Sequence, residues 1–195
     1  SFTVFGFEIA YYGVIIGLAV ISGVLLAAYL AKKYDVNPDY VYDIAIYAVF
    51  FSVVGARLYY VIFSWDFYKK NLGKIFNLRE GGLAIYGAVL AAILTVFIYT
   101  KVKKISFLKF TDIGAPALLL GQTLGRWGNF FNQEAYGREV TREALEKAKI
   151  PEFIIDGMKI NNSYYQPMFY YESLWNITGF IILMLVRRNK KLKNG

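Results

Sequence analysis

The chain is patterned in long apolar blocks separated by short polar breaks, without the alternation of amphipathic strands or the diluted 3.6-residue period of soluble surface helices. A hydrocarbon core about 30 Å thick takes about 20 mostly apolar residues per helix. Five blocks approach that length: about Ile9 to Leu30, Tyr40 to Phe63, Leu83 to Thr100, Phe110 to Leu124 with a glycine-rich stretch behind it, and Met168 to Val186. The first has neither a basic leader nor a small-residue cleavage site, so it reads as a span rather than a signal peptide. The pattern predicts an all-α, polytopic transmembrane helical bundle of about five spans, forming a single transmembrane domain over residues 1–195.

One interruption is too long for a turn. Residues 132–166 predict an extracytoplasmic insert between spans four and five, in which Thr141 to Ile150 reads as a short amphipathic helix stopped by Pro151. Ile154 to Ile160, with Asp156-Gly157 between apolar residues, reads as a small hairpin. Such an insert is either a solvated cap or a lid at the membrane surface.

Composition agrees with the membrane reading: 57% of residues are hydrophobic and 18% charged, against roughly 25% charged in a soluble domain. The net charge of +8 is sorted by segment. Lys32 and Lys33, then Lys101, Lys103, Lys104 and Lys109, then Arg187, Arg188, Lys190, Lys191 and Lys193 all fall on one side of a five-span chain. On the other side lie Lys69, Lys70, Lys74 and Arg79, and an insert whose bases are offset by Glu139, Glu143, Glu146, Glu152 and Asp156. The positive-inside rule then places the N-terminus outside and the tail in the cytoplasm, and the basic excess calls for no nucleic acid partner. With neither cysteine nor histidine in the chain, disulfides, a thiolate nucleophile, an imidazole base and Cys or His metal sites are all excluded.

Ionisable residues at membrane depth are costly and tend to face a cavity or a partner. Asp43 and Arg57 lie in span two, Asp112 at the start of span four, Arg126 and Glu134 around its end, and Glu172 in span five. Ion pairing between helices is the competing reading, above all for Asp43 and Glu172. Arg126 stands within Gly121-Gln-Thr-Leu-Gly125-Arg126-Trp-Gly128-Asn129-Phe-Phe-Asn132-Gln-Glu134-Ala-Tyr-Gly137. Its glycines allow close backbone approach to a helix or ligand and predict that the helix breaks there. A guanidinium fork beside carboxamides and a carboxylate suits an anionic lipid headgroup; helix packing with an Arg126–Glu134 salt bridge is the structural alternative. A second glycine-rich element, Glu80-Gly81-Gly82-Leu83-Ala84-Ile85-Tyr86-Gly87, opens span three and aims Tyr86 at the same cavity, although a lone interfacial Tyr also fits the aromatic belt. That belt reading extends to Tyr11-Tyr12 and Tyr170-Tyr171.

The run Gly125-Arg126-Trp-Gly128-Asn129-Phe-Phe-Asn132-Gln-Glu134-Ala-Tyr-Gly137 resembles the signature of the prolipoprotein diacylglyceryl transferase family. Tyr12-Gly13, Gly55-Ala-Arg57-Leu, Gly81-Gly82 to Gly87, Asp112 through Ala115-Pro116, and Pro167 through Tyr171-Glu172 match in order, so the resemblance covers nearly the whole chain. It implies a bacterial inner-membrane enzyme that begins lipoprotein maturation. Such an enzyme transfers the diacylglyceryl group of phosphatidylglycerol, a membrane lipid, to the lipobox cysteine thiol of a preprolipoprotein, releasing glycerol phosphate. No metal or organic cofactor is implied. On this resemblance Arg126, Tyr86 and Glu134 are catalytic: Arg126 binds the departing phosphate, and Glu134 orients Arg126 or the glycerol hydroxyls. Asn129 and Asn132 bond the headgroup, Gly137 joins the substrate-binding set, and Tyr12, Arg57, Asp112 and Glu172 line or brace the pocket.

Two departures qualify the match. Many members of the family carry, in place of Tyr86, a histidine assigned as the base for the thiol. Tyrosine titrates near 10 and a thiol near 8.5, so Tyr86 is expected to position the thiol rather than deprotonate it. Members also continue for two further spans with another essential arginine, whereas this chain starts at Ser1 and stops at Lys193-Asn194-Gly195, the expectation for a C-terminally truncated form. The alternative function is a membrane transporter or lipid flippase, since glycine-broken helices with buried charge also mark permeation paths. No inverted repeat of the signature supports it, and a structural subunit is a third possibility.

Overall fold

The structure is a computed structural model that describes residues 2–4, 7–78 and 81–187, with side chains from Ala10 onward. Ser1, Arg79, Glu80 and the tail residues Arg188, Lys190, Lys191, Lys193, Asn194 and Gly195 lie outside the described residues. A short antiparallel pair, β1 (Phe2–Val4) with β2 (Phe7–Ile9), precedes the first helix. The long helices are α1 (Tyr11–Lys33), α2 (Asp39–Phe63), α4 (Ile85–Val102), α5 (Phe107–Asn132) and α8 (Met168–Val186). Between α2 and α4 lie a single turn, α3 (Trp65–Tyr68), and a 3-10 turn over Leu72–Phe76.

Four of the long helices, α1, α2, α4 and α8, are long and apolar enough to cross a membrane. Their large side chains are turned outward: Ile46, Phe50, Ile62, Leu90 and Trp175 are all more than half exposed. Soluble monomers do not leave that much contiguous apolar surface in water. The chain is an all-α polytopic membrane protein. The fifth long helix, α5, is more polar because it carries Asp112, Gln122, Arg126 and four glycines, with Pro116 inside it.

The chain divides into two compact units, one holding residues up to Ala27 and from Gly114 on, the other running Ala28–Ile113. In the second unit α2 and α4 are antiparallel and cross where Gly55 meets Gly87. A Cβ on Gly55 would lie 2.7 Å from the Gly87 carbonyl oxygen, and one on Gly87 would strike the Gly55 carbonyl and the Tyr59 side chain. Nearer the other end of the pair, the Tyr99 hydroxyl donates to Asp43 at 2.5 Å. The Asp43 carboxylate is therefore a tie between helices, and Lys103 lies 5.6 Å from the rings of both Tyr40 and Tyr99.

In the first unit α5 runs antiparallel to both α1 and α8. Positions 121, 125 and 128, spaced four and three residues apart, share one helix face, and that face meets α1. A Cβ on Gly121 would lie 3.6 Å from the Ala19 carbonyl, one on Gly125 3.5 Å from Ile16, and one on Gly128 2.9 Å from the Tyr12 ring. The opposite face meets α8 through Thr123, Arg126, Trp127 and Phe130. The glycines therefore serve helix packing, and the expected break is absent: α5 continues unbroken to Asn132.

The insert occupies its expected place. It contains β3 (Glu139–Val140), α6 (Arg142–Lys147), α7 (Glu152–Gly157), β4 (Lys159–Ile160) and β5 (Ser163–Tyr165), with strand order β3-β5-β4. Thr141 caps α6, its hydroxyl accepting from the Ala144 N–H at 3.2 Å. A hydrogen bond from its own backbone N–H, then the Thr141 hydroxyl, hold the Glu143 carboxyl below its ordinary range. The predicted hairpin is displaced. Asp156-Gly157 ends α7, which starts after Pro151, and the chain reverses instead at Asn161 and Asn162, both left-handed (φ 49° and 68°) between Ile160 and Ser163. Asparagine tolerates that region better than most residues, which suits a two-residue turn with both central φ positive. Arg142 binds the insert together, donating to Glu146, Asp156 and Tyr164 and pairing with Glu152. Leu145, Ile150, Ile154, Ile155 and Met158 pack with Phe169 of α8 and with Trp127 and Phe130 of α5, so the insert shares its core with the ends of two long helices.

Candidate functional site

α5 ends in a Schellman turn. Asn132 is the last helical residue and Gln133 adopts φ +51°; its N–H bonds the Phe130 carbonyl at 3.1 Å, and the Glu134 N–H bonds the Asn129 carbonyl at 3.0 Å. The Glu134 side chain turns back along the helix and accepts from the Asn129 carboxamide at 3.1 Å. Gln133 reaches the other way and donates to the Gly157 carbonyl of α7 at 3.2 Å. This turn gathers Asn129, Asn132 and Glu134 at one helix end, within two turns of Arg126.

Arg126 does not pair with Glu134. Its Nε lies 2.5 Å from the Glu172 carboxylate of α8, with both side chains about two-fifths exposed. Among the described residues it donates to no backbone carbonyl. A half-open guanidinium held by one carboxylate can meet an anion with its remaining N–H groups. Tyr12 packs on Gly128, two residues beyond Arg126 on the α1 side of the helix. Gly137 is a point of close approach: its N–H bonds the Gln166 carbonyl at 2.9 Å, and a Cβ there would meet Gln166 and Met168. Its backbone closes the base of the insert rather than contributing a free donor.

Arg57 is arranged in the opposite way. It is buried, 7% exposed, and all five of its N–H groups bond carbonyls of a single loop. Nε donates to Ile75, one terminal nitrogen to Gly81 and Gly82, and the other to Lys74 and Asn77, at 2.6 to 2.9 Å. The Tyr68 ring lies 5.2 Å from its guanidinium carbon. Of the two roles expected for Arg57, lining or bracing the pocket, this geometry suits the second: with every donor engaged, it braces the loop ahead of α4. Gly81 and Gly82 take left-handed φ of 82° and 79°, which presents both carbonyls to the same nitrogen. A pocket of about 200 Å³ opens beside them, lined by Arg57, Tyr60, Phe67, Tyr68 and Lys74.

Tyr86 stands in the first turn of α4, 70% exposed, its ring 6.5 Å from Tyr59. It belongs to the Ala28–Ile113 unit, whereas Arg126, Asn129, Asn132, Glu134, Gly137, Glu172 and Tyr12 belong to the other. Asp112 is exposed near the beginning of α5, at the helix end away from the Schellman turn. Sequence reasoning missed Trp127, Ser173 and Gln133. The Trp127 indole N–H donates to Ser173 at 3.2 Å, and Ser173 donates to the Thr123 carbonyl at 3.1 Å. A serine directly after Glu172, inside an apolar span, was the available signal.

The family model described as prolipoprotein diacylglyceryl transferase matches residues 1–195. A phosphatidylglycerol–prolipoprotein diacylglyceryl transferase of Listeria innocua serovar 6a is 52% identical over 183 residues, covering 94% of this chain and 66% of the relative. Proteins of the same name from Bacillus cytotoxicus and Bacillus mycoides are 48% and 47% identical, over 93% and 97% of this chain and 67% and 70% of their own lengths. The chain thus spans about two thirds of the length of the relatives it matches. With the match running from its first residue to its last, the chain belongs to the prolipoprotein diacylglyceryl transferase family.

Proposed function

We propose that this chain carries the phosphate-binding part of an enzyme that transfers the diacylglyceryl group of phosphatidylglycerol to the lipobox cysteine of a preprolipoprotein. The carrying observation is the contrast between two membrane-depth arginines: Arg57 spends every donor on its own loop, whereas Arg126, among the described residues, is held by Glu172 alone and stays half open. In the reaction the thiol sulfur of the substrate attacks the glycerol carbon that bears the phosphate. A C–S bond forms, the C–O bond breaks, and glycerol phosphate leaves with the bonding pair. Positive charge fixed around that phosphate stabilises the charge as it develops. Arg126 supplies the charge, Glu172 sets its direction, Asn129 and Asn132 bond the headgroup, and Glu134 holds Asn129. Tyr86 positions the incoming thiol.

The protein then sits in the bacterial inner membrane with its N-terminus outside. α5 is the fourth of five crossings, packed between α1 and α8, and the insert is extracytoplasmic. The names of the relatives, the antiparallel packing of α5 on two apolar helices, and the basic short segments support this reading.

Incubation with phosphatidylglycerol and a lipobox peptide should raise the peptide mass by one diacylglyceryl unit. Arg126→Ala should lower that rate by about 10²- to 10³-fold, the usual loss of a charge-stabilising donor; undiminished lipidation by this variant would refute the assignment. Tyr86→Phe should retain activity that recovers as pH approaches the thiol pKa. Inactivity at every pH, with lipid binding intact, would instead make Tyr86 an obligatory base.

A further inference from the structure

Sequence neighbours on α5 meet sequence neighbours on α8: Arg126 faces Glu172, and Trp127 faces Ser173. The first pair is partly open to solvent and joins two long, rotatable side chains, so by itself it fixes little geometry. The second is different in kind. The Ser173 hydroxyl is buried, accepts the Trp127 indole N–H at 3.2 Å and donates to the Thr123 carbonyl at 3.1 Å. Because one of those bonds ends on backbone, it ties α8 to the body of α5 rather than to a side chain that can turn. The indole is immobilised in turn, edge-on to Phe169 at 5.3 Å and stacked with Phe153 of α7 at 6.4 Å and 12°.

We propose that Ser173, working with Trp127, is a positioning residue that sets the rotation and rise of α8 on α5 and so holds Glu172 in register with Arg126. Its role in transfer rests on the function proposed above; its role in register does not. A guanidinium aimed by a carboxylate is sensitive to displacements of an ångström or less. Losing the hydroxyl should therefore slow turnover without loosening substrate binding.

The test uses the membrane-embedded protein with 15N-labelled Trp and Arg side chains. Ser173→Ala should move both the Trp127 indole N–H and the Arg126 Nε–H resonances. It should lower kcat by about tenfold to a hundredfold with KM changed less than about twofold. In a Glu172→Gln background the same change should cost less than about twofold more, because the partner it positions has already been neutralised. Trp127→Phe, which keeps an aromatic ring and removes the donor, should reproduce the Arg126 shift and serves if Ser173→Ala fails to fold. An Arg126 resonance unmoved in both variants would overturn the proposal whatever the activity, as would kcat losses that multiply fully with Glu172→Gln. If the unmodified protein transfers no lipid, the transfer reading fails alone and the resonances still decide the register.

Discussion

An arginine inside a membrane protein is informative only once its donors have been followed to their acceptors. Arg57 and Arg126 are equally conspicuous in the sequence, yet the first is the keystone of a loop and the second a half-open cation. For Arg57 the physics is that of five donors tying one loop, each hydrogen bond contributing about 0.5–1.5 kcal/mol net. Arg57→Ala should therefore lower stability by about 3 kcal/mol or more, read as a marked drop in the thermal midpoint in detergent. Arg57→Lys should recover only part of it, because three rotatable donors cannot span five fixed acceptors. Activity lost by either variant in proportion to the folded fraction is the expected signature of a brace. A similar accounting explains what the sequence could not reveal. That Glu172 rather than Glu134 would face Arg126 depends on the register of α8 against α5, whereas Glu134 is only eight residues away and looks nearer on paper.

At the scale of elements, the apolar blocks were legible because length and hydropathy are what a bilayer demands, and four of the five blocks became strongly apolar helices. The glycines were legible as places of close approach, but not as to what approaches. Positions 121, 125 and 128 met a neighbouring helix, so the backbone had no reason to unwind. The insert hairpin was misplaced because Asp-Gly and Asn-Asn both signal a turn locally, and only the packing of Gly157 under Phe130 decides between them. Gly87 gives the most direct test of such contacts. Gly87→Val puts branched bulk against the Gly55 carbonyl, and overpacking of this kind costs about 1–3 kcal/mol. The α2–α4 pair should separate and the thermal midpoint fall, whereas a substitution at Gly13, which has open space around it, should leave the midpoint nearly unchanged.

For the whole molecule, the absence of cysteine is an experimental convenience as well as a chemical clue. Single cysteines placed at Lys33 and Lys104 should react only with a membrane-permeant maleimide in intact cells. One at Lys70 or Lys149 should react with an impermeant reagent as well. The reverse labelling pattern would invert the proposed topology while leaving every helix in place. The same absence fits the reaction proposed above, in which the thiol arrives with the substrate.

The joint after α5 has one more implication. Between Asn132 and Gly137 the backbone is left-handed at Gln133 and again at Ala135, and the intervening Glu134 returns to Asn129. Such a stretch has a fixed count: one residue more or fewer would undo the helix cap and carry the carboxylate out of reach together. The two-asparagine turn at the far end of the insert bears no such obligation beyond its own hairpin. An epitope grafted at the two-asparagine turn should therefore leave the fold intact, whereas one residue added between Asn132 and Gly137 should lower the thermal midpoint, because the root keeps time like the teeth of a gear.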